Sequence, residues 1–202
     1  MSSITEQEDP ETAAPRANAR DRIVTSSYPL FAQRGVRDVS IDEVIEASQV
    51  AKATLYRYFP SKNDLVLAFL EHREQQWTFG KVEAGARARA TAPEGTLLAI
   101  FDVFDEWFQR DDFEACSFIN VMLEFGDQHP VGVASAGYLA NIRTLVEQLA
   151  VEADLPNPAE FALSWHILMK GSIVQASEGD LQAAKRAKVM AVALIQQFRN
   201  AE

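Results

Sequence analysis

The sequence has little of what disulfide-bonded, metal-binding or membrane-spanning proteins need. Its 202 residues include one cysteine and three histidines, which excludes a disulfide framework within the chain and suits a reducing compartment. The longest apolar stretch, residues 161–169, is too short for a membrane span and contains His166. Residues 1–15 have no basic or strongly apolar run, so we predict no signal peptide. We therefore expect a soluble, cytoplasmic protein that needs no metal or other cofactor and has no membrane partner.

Residue patterns that support catalysis are also scarce. The sequence contains no Cys-x-x-Cys or His-Glu-x-x-His motif and no glycine-rich phosphate loop. Cys116 combined with a distant histidine is a very unspecific pattern for a nucleophile. We predict that the protein is not an enzyme.

Charge is unevenly distributed along the chain. The net charge of −10 argues against a general affinity of the whole chain for nucleic acid. Residues 16–62, however, carry eight arginines and lysines against five acidic residues, while the rest of the chain is acidic. A basic head on an acidic body would orient the molecule on DNA, although ordinary variation in surface charge gives the same pattern.

Residues 40–65 are the most informative stretch. Ser40 and Glu43 have the spacing of a capping box, and apolar residues then recur at helical spacing over 41–45. After a short interruption the helical spacing resumes over 51–59 and stops at a proline. Two short helices joined by a tight turn are typical of the DNA-binding helix-turn-helix.

The second of these helices would have an outward face suited to DNA. With Leu55 and Phe59 pointing inward, that face and its flanks carry small, hydroxyl-bearing and cationic side chains: Lys52, Ala53, Thr54, Tyr56 and Arg57. Cations and hydroxyl groups bind phosphates, and donors or methyl groups contact base edges. The pattern predicts a recognition helix.

This stretch resembles the TetR family of bacterial transcriptional repressors over about residues 16–70. The matching residues are Leu30, Phe31, Gly35, Ser40, Val44, Ala47, Val50, Lys52, Thr54, Leu55, Tyr56, Tyr58, Phe59, Ser61, Lys62 and Leu65. The residue pattern and the resemblance together predict DNA contacts by Ser40, Lys52, Ala53, Thr54, Tyr56, Arg57, Tyr58 and Lys62.

The sequence departs from the family pattern at several positions. Ala51 and Ala53 stand where the family usually has serine and glycine, which removes a cap hydroxyl and one phosphate donor. Gln49 stands where glycine is common, at a position that often requires a positive φ. Pro29 removes one N–H from the first helix and should kink it.

The remaining chain predicts an all-α protein of about nine helices. Residues 1–15 would be a flexible acidic tail, residues 16–62 a three-helix DNA-binding domain, and residues 63–202 a helical bundle for ligand binding and dimerisation. The fourth helix would start at Ser61 and link the two domains. The sixth would begin near residue 113 and the ninth near residue 181.

The eighth and ninth helices predict a homodimer. Residues 161–174 and 187–195 are apolar on nearly every side, so both helices need cover all round. The same pair from a second subunit would supply that cover, as it does in the family. The alternative is a helix that is central to its own core.

The body also contains aromatic and thioether side chains at helical spacing. Such residues are more often core than binding site, but the family uses this region for a small-molecule pocket. The resemblance therefore predicts effector contacts by Phe104, Trp107, Phe108, Phe118, Met122, Phe125, Trp165, His166 and Met169.

The predicted function is that of a ligand-responsive transcriptional regulator. We expect a repressor that binds a near-palindromic operator as a dimer and is released by a small, largely apolar effector. Two alternatives stay open: an architectural DNA-binding protein without an effector, and a ligand-binding helical dimer whose head docks on a protein.

Overall fold

The computed structural model describes residues 18–200, which form nine helices and no strand. The predicted all-α fold of about nine helices is confirmed. The helices are α1 Ala19–Arg34, α2 Ile41–Ser48, α3 Lys52–Tyr58, α4 over residues 62–89, α5 Pro93–Phe108, α6 Ser117–Phe125, α7 Pro130–Glu152, α8 Pro158–Ser177 and α9 Ala183–Arg199. The tail predicted at residues 1–15 lies outside the described residues.

Local capping explains where the helices of the N-terminal head begin and end. Two capping boxes are present, the predicted one at Ser40 with Glu43 and a second at Ser61 with Asp64. The chain turns after α2 at Gln49, which adopts the left-handed conformation with φ 52°. No side chain caps α3 at Ala51, as expected when alanine replaces a hydroxyl-bearing residue.

Helix α4 is widened in its middle. Its α-helical start Lys62–Arg73 continues without a break into a π-helical segment, Glu74–Glu83, and then into the α-helical end Ala84–Arg89. Hydrogen bonds in a π-helix join residues five apart, and such segments occur frequently at functional sites. The sequence is compatible with either a helical tail or a loop after residue 80. The structure shows that these residues are helical as far as Arg89.

Two predicted helix starts are wrong. Helix α6 begins at Ser117 and not near residue 113, because Ala115 has a positive φ of 60° and Glu114 turns towards Arg73 of α4. Helix α9 begins at Ala183, two residues later than expected.

Apolar residues of the head and of the body form one continuous core. Val44 and Leu55 are fully buried in the head, Phe69 of α4 is buried against Phe31 of the head, and Phe101 and Trp165 are buried between helices of the body. Prolines occupy the first position of α5, α7 and α8, where a missing N–H costs no hydrogen bond. Within residues 18–200, no helix is both long and apolar enough to cross a membrane.

Candidate functional sites

Helix α3 is held by one buried side and presents the other side to solvent. Leu55 has no exposed surface, and Phe59 at the end of the helix is buried. The side chains on the opposite side are exposed, apart from Thr54, which is half-buried: Lys52, Ala53, Tyr56, Arg57 and Tyr58. The structure thus brings most of the predicted DNA contacts together on one surface, which we call the α3 face.

Two cations of this region have no carboxylate partner. Within residues 18–200, Arg57 and Lys62 form no ion pair, and the Arg57 guanidinium lies over the Tyr58 ring at 5.0 Å from its centroid. Lys52 contacts Asp42 with 3.2 Å between Nζ and a carboxylate oxygen, but both side chains are largely exposed. An exposed pair of this kind contributes little and can exchange for a phosphate.

Ser40 is occupied by its capping role. Its backbone N–H donates to the Glu43 carboxylate at 2.8 Å, and its hydroxyl contacts the same oxygen at 2.9 Å. Arg34 of α1 donates to the other Glu43 oxygen at 2.6 Å. These hydrogen bonds, the one from the Ser40 backbone first, lower the pKa of Glu43 to about 2. The geometry therefore favours a structural role of Ser40 over phosphate contact.

An enclosed, mostly apolar cavity lies inside the body; we call it the inner cavity. Five of the nine predicted effector contacts line it: Phe104, Trp107, Phe118, His166 and Met169. The other four lie elsewhere. Phe108 packs against Phe104 and Phe113, Met122 lies at the edge of the core, Phe125 stacks on His129, and Trp165 packs against Phe101 and Phe161.

Sequence reasoning missed the walls that α4 supplies. Arg73, Trp77, Thr78 and Val82 line the inner cavity from the π-helical segment and the residue before it. Their successive spacings of four, one and four residues match one face of a widened helix rather than of a regular α-helix. Cys116, before α6, and Lys170 of α8 complete the polar part of the lining.

Burial dominates the electrostatics of the inner cavity. It lowers the pKa of His166 to about 3, with smaller contributions from the charges of Lys170 and Arg143, so the imidazole is neutral near pH 7. Burial also lowers the pKa of Lys170 and raises that of the Cys116 thiol. The hydroxyl of Thr78 is buried and has no hydrogen-bond partner among the described residues.

An open cleft separates α1 from α4 next to the inner cavity; we call it the outer cleft. It has a volume of about 350 Å³ and shares Arg73, Trp77 and Trp107 with the inner cavity as a common wall. Tyr28 of α1 and Glu114 lie on its far side. The buried Arg73 guanidinium contacts both of them and also lies 4.7 Å from the centroid of the Trp77 ring.

Comparisons with known proteins match the head and the whole fold separately. The family described as bacterial regulatory proteins, tetR family, matches residues 23–69, which run from α1 into α4. Residues 23–69 thus belong to the TetR family of bacterial regulatory proteins. The relatives reported below are named as transcriptional regulators, in agreement with the prediction that the protein is not an enzyme.

Individual relatives of the chain cover different parts of it. A putative mycofactocin biosynthesis transcriptional regulator from Mycobacterium tuberculosis is 34% identical over 93 residues, which are 45% of this chain and 46% of that protein. An uncharacterized HTH-type transcriptional regulator from Lactococcus lactis is 23% identical over 108 residues, 53% of this chain and 55% of its own length. The chain thus spans about half the length of these curated relatives.

A solved structure matches nearly the whole chain. The transcriptional regulator SCO4454 from Streptomyces coelicolor has a TM-score of 0.80 at 24% identity, covering 89% of this chain and 95% of its own. At this level of identity the similarity shows the fold alone.

Carboxylates from the body hold the head in two places. Besides the contact of Glu114 with Arg73 and Tyr28, Glu124 of α6 accepts hydrogen bonds from the backbone N–H groups of Val36 and Arg37, between α1 and α2. The head is therefore tied to the body within α1, at Tyr28, and just after its end, at Val36 and Arg37. No group of side chains in residues 18–200 could hold a metal ion.

The outer surfaces of α8 and α9 carry exposed apolar side chains. Ile167 is 71% exposed and Val189 is 73% exposed. The further members of this surface, which we call the α8–α9 face, are Leu163, Val174, Met190 and Val192. Both helices bury their other side in the core of the same chain.

Proposed function

We propose that this protein is a ligand-responsive transcriptional regulator that binds a near-palindromic DNA operator as a homodimer. The α3 face carries the proposal: it is exposed, cationic and hydroxyl-bearing, and it lies within the segment that matches the family. A helix of this kind fits the major groove, where donors and methyl groups distinguish base pairs. Such a regulator acts in the cytoplasm, where a bacterial operator lies.

Within this proposal the chain divides into a DNA-binding head, residues 16–62, and a body, residues 63–202. Lys52, Tyr56, Tyr58 and Lys62 are suited to phosphates, because their cationic or phenolic groups are exposed or lie at the edge of the head. Ala53, Thr54 and Arg57 are suited to base edges, because two of them are small and Arg57 offers paired donors.

The α8–α9 face supports the dimer. An exposed patch of large apolar side chains on two neighbouring helices is typical of a protein interface. Two copies that pair through this face form a four-helix interface with two-fold symmetry. That symmetry presents two α3 helices to two half-sites of one operator.

The inner cavity supports the effector site. It is enclosed and mainly apolar, with a few polar groups, as small-molecule sites are. Trp77 and Arg73 lie in the wall that the cavity shares with the outer cleft, and Arg73 contacts Tyr28 of α1. A ligand that displaces this wall would favour a different position of the head and so weaken operator binding. In this proposal the protein is a repressor that its effector releases from the operator.

Fluorescence anisotropy on DNA upstream of the protein's own gene, at several salt concentrations, tests the proposal. We expect tight binding whose affinity falls steeply with salt, and protection of a near-palindrome in footprinting. Lys62→Ala should weaken binding to every sequence and make the salt slope shallower by about one. Arg57→Ala should cost about 1–3 kcal/mol and relax the preference for one base.

Lys81→Ala is the matched control, since Lys81 is an exposed lysine of α4 on the body and forms no ion pair within residues 18–200. It should bind like the parent protein. If Lys62→Ala and Arg57→Ala also bind like the parent, the α3 face is not the DNA-binding surface. Binding without salt dependence and without sequence preference would contradict the regulator itself.

A further inference from the structure

Among the described residues, two positive charges on α7 and α8 have no carboxylate that neutralises them: Lys170, which lines the inner cavity, and Arg143, which lies outside its lining. Within residues 18–200, neither Lys170 of α8 nor Arg143 of α7 forms an ion pair, although most cations of the body do. The paired cations are Arg73, Arg87, Arg89, Arg110, Lys185, Arg186, Lys188 and Arg199, while Lys81 on the outside is also unpaired. Lys170 lines the cavity and is half-buried, and burial followed by the like charge of Arg143 lowers its pKa.

Two further polar groups of the cavity also have no partner. The Thr78 hydroxyl is buried without a hydrogen bond, and the His166 side chain, 4% exposed, donates or accepts none among the described residues. Buried polar groups in native proteins are almost always hydrogen-bonded, and exceptions need an explanation. A ligand that brings its own polar group would supply the missing partner.

The rest of the lining is apolar and aromatic. Trp77, Phe104, Trp107 and Phe118 form much of it, together with aliphatic side chains of α7. These walls favour a hydrocarbon or aromatic body and give no partner to a molecule that is polar throughout. The cavity therefore combines an apolar interior with a cationic side.

We propose that the effector is an amphipathic carboxylate, whose apolar body lies among the aromatic side chains and whose carboxylate lies against Lys170. The inference rests on the proposed function of the inner cavity as the effector site. A carboxylate offsets the like charges of Lys170 and Arg143 and accepts charge-assisted hydrogen bonds from the Lys170 ammonium group. His166, which is neutral near pH 7, can donate a further hydrogen bond from its ring N–H.

Entry of such a ligand requires the cavity to open. The free volume inside is about 30 Å³, which suffices for about one water molecule, whereas ligand sites have about 300–1,000 Å³. The outer cleft lies behind Trp77 and Arg73 and offers about 350 Å³. Displacement of Trp77, a half-buried residue of the π-helical segment, joins the two spaces and moves the ring on which Arg73 rests.

Isothermal titration calorimetry of the full-length protein with octanoate and with octan-1-ol tests the ligand class. The two probes share their hydrocarbon chain and differ in the charge of the head group. We expect octanoate to bind at least about tenfold more tightly than the alcohol, because a hydrogen bond to a charged group contributes about 1.5–3 kcal/mol. Lys170→Met, which keeps the stem and removes the charge, should abolish this preference and leave alcohol binding unchanged.

Lys185→Met is the control, because it removes an exposed lysine of α9 that lines neither the inner cavity nor the outer cleft; it should keep the full preference for octanoate. Equal affinity of the parent protein for the acid and the alcohol would overturn the proposal. So would a preference for the acid that survives in Lys170→Met and in Arg143→Met, or a failure of all straight-chain acids of six to twelve carbons to bind.

Operator binding measured on the same samples separates this inference from the proposed function. If octanoate binds with the expected preference and leaves DNA affinity unchanged, the ligand class is supported and effector release is contradicted. If the alcohol binds as well as the acid and both weaken DNA binding, effector release is supported and the role of the two cations is contradicted.

Discussion

His166 of α8 is buried in its neutral form, and this lowers the free energy of unfolding at acidic pH. Its side chain is 4% exposed, and burial together with the charges of Lys170 and Arg143 lowers its pKa to about 3. In the unfolded chain a histidine has a pKa of about 6.5. Between these two values the unfolded state binds a proton that the folded state does not bind, so the free energy of unfolding falls as the pH falls below about 6.5.

We expect His166→Gln to flatten this dependence. From pH 7 to pH 4.5 the free energy of unfolding of the parent should fall more steeply than that of the variant, by up to about 1.4 kcal/mol per pH unit. Urea unfolding at pH 8, 7, 6, 5 and 4.5 measures the free energy of unfolding of the parent and of the variant. At pH 8 the histidine is neutral in the folded and in the unfolded state, so the difference between the two proteins there gives the effect of packing alone. Parallel curves over the whole range would contradict a depressed pKa.

At the scale of a helix, the start of α7 depends on a close approach of two backbone segments. A Cβ atom on Gly132 would lie 1.9 Å from the carbonyl oxygen of Gly126 in the preceding turn. Real Cβ atoms do not approach an oxygen this closely, and backbone atoms cannot move aside as a flexible side chain can. Gly137 lies further along the same helix with no atom within 4 Å of its would-be Cβ.

The two glycines should therefore respond in opposite directions to the same change. Gly132→Ala forces α6 and α7 apart, and we expect it to destabilise the protein by about 2 kcal/mol or more. Gly137→Ala should stabilise it by about 0.5–1 kcal/mol, because alanine has the higher helix propensity and meets no neighbour. Thermal unfolding of both variants checks this; a Gly132→Ala variant as stable as the parent would contradict the packing between α6 and α7.

Most helix boundaries could be predicted from the sequence, and one could not. The capping boxes at Ser40 and Ser61 and the prolines that start α5, α7 and α8 lie next to the boundaries that they define, so the boundaries could be read locally. The wrong prediction that α6 begins near residue 113 has a non-local cause. Phe113 and Glu114 continue a helical pattern, but the contact of Glu114 with Arg73 holds the chain in another conformation.

At the scale of the whole molecule, the α8–α9 face gathers six exposed large apolar side chains of residues 18–200. Its side chains come from two helices that pack against each other, and each helix already buries its other side. Burial of such a patch gains about 25 cal/mol per Å² of apolar surface. The proposed homodimer uses this gain, and it fixes the distance between the two α3 faces.

We expect Ile167→Glu to dissociate the dimer, since the glutamate would be buried without a partner in the interface. Sedimentation velocity of the variant should give a monomer at concentrations where the parent is a dimer. Leu123→Glu is the control, because Leu123 is 72% exposed on α6, outside the α8–α9 face, and should leave the dimer intact. A dimer that persists in Ile167→Glu, or a parent that is monomeric, would contradict the proposed interface.

The candidate sites were predictable to different degrees. The side chains of the α3 face could be named because one short helix carries them, and its buried side follows from the spacing of Leu55 and Phe59. The inner cavity was only half predictable. Phe104, Trp107 and Phe118 were named from aromatic spacing, but Phe108 and Trp165 have the same pattern and belong to the core instead.

The sequence by itself determined the helical class, most helix boundaries and the DNA-binding motif, because caps, prolines and periodicity act within about one helical turn. Only the tertiary structure decided how the head and the body are joined. Tyr28 meets Glu114 across 86 residues, and Val36 meets Glu124 across 88 residues. No local pattern specifies such pairs, since each depends on how several helices pack. The widened segment of α4 and the cationic side of the inner cavity belong to the same class of features.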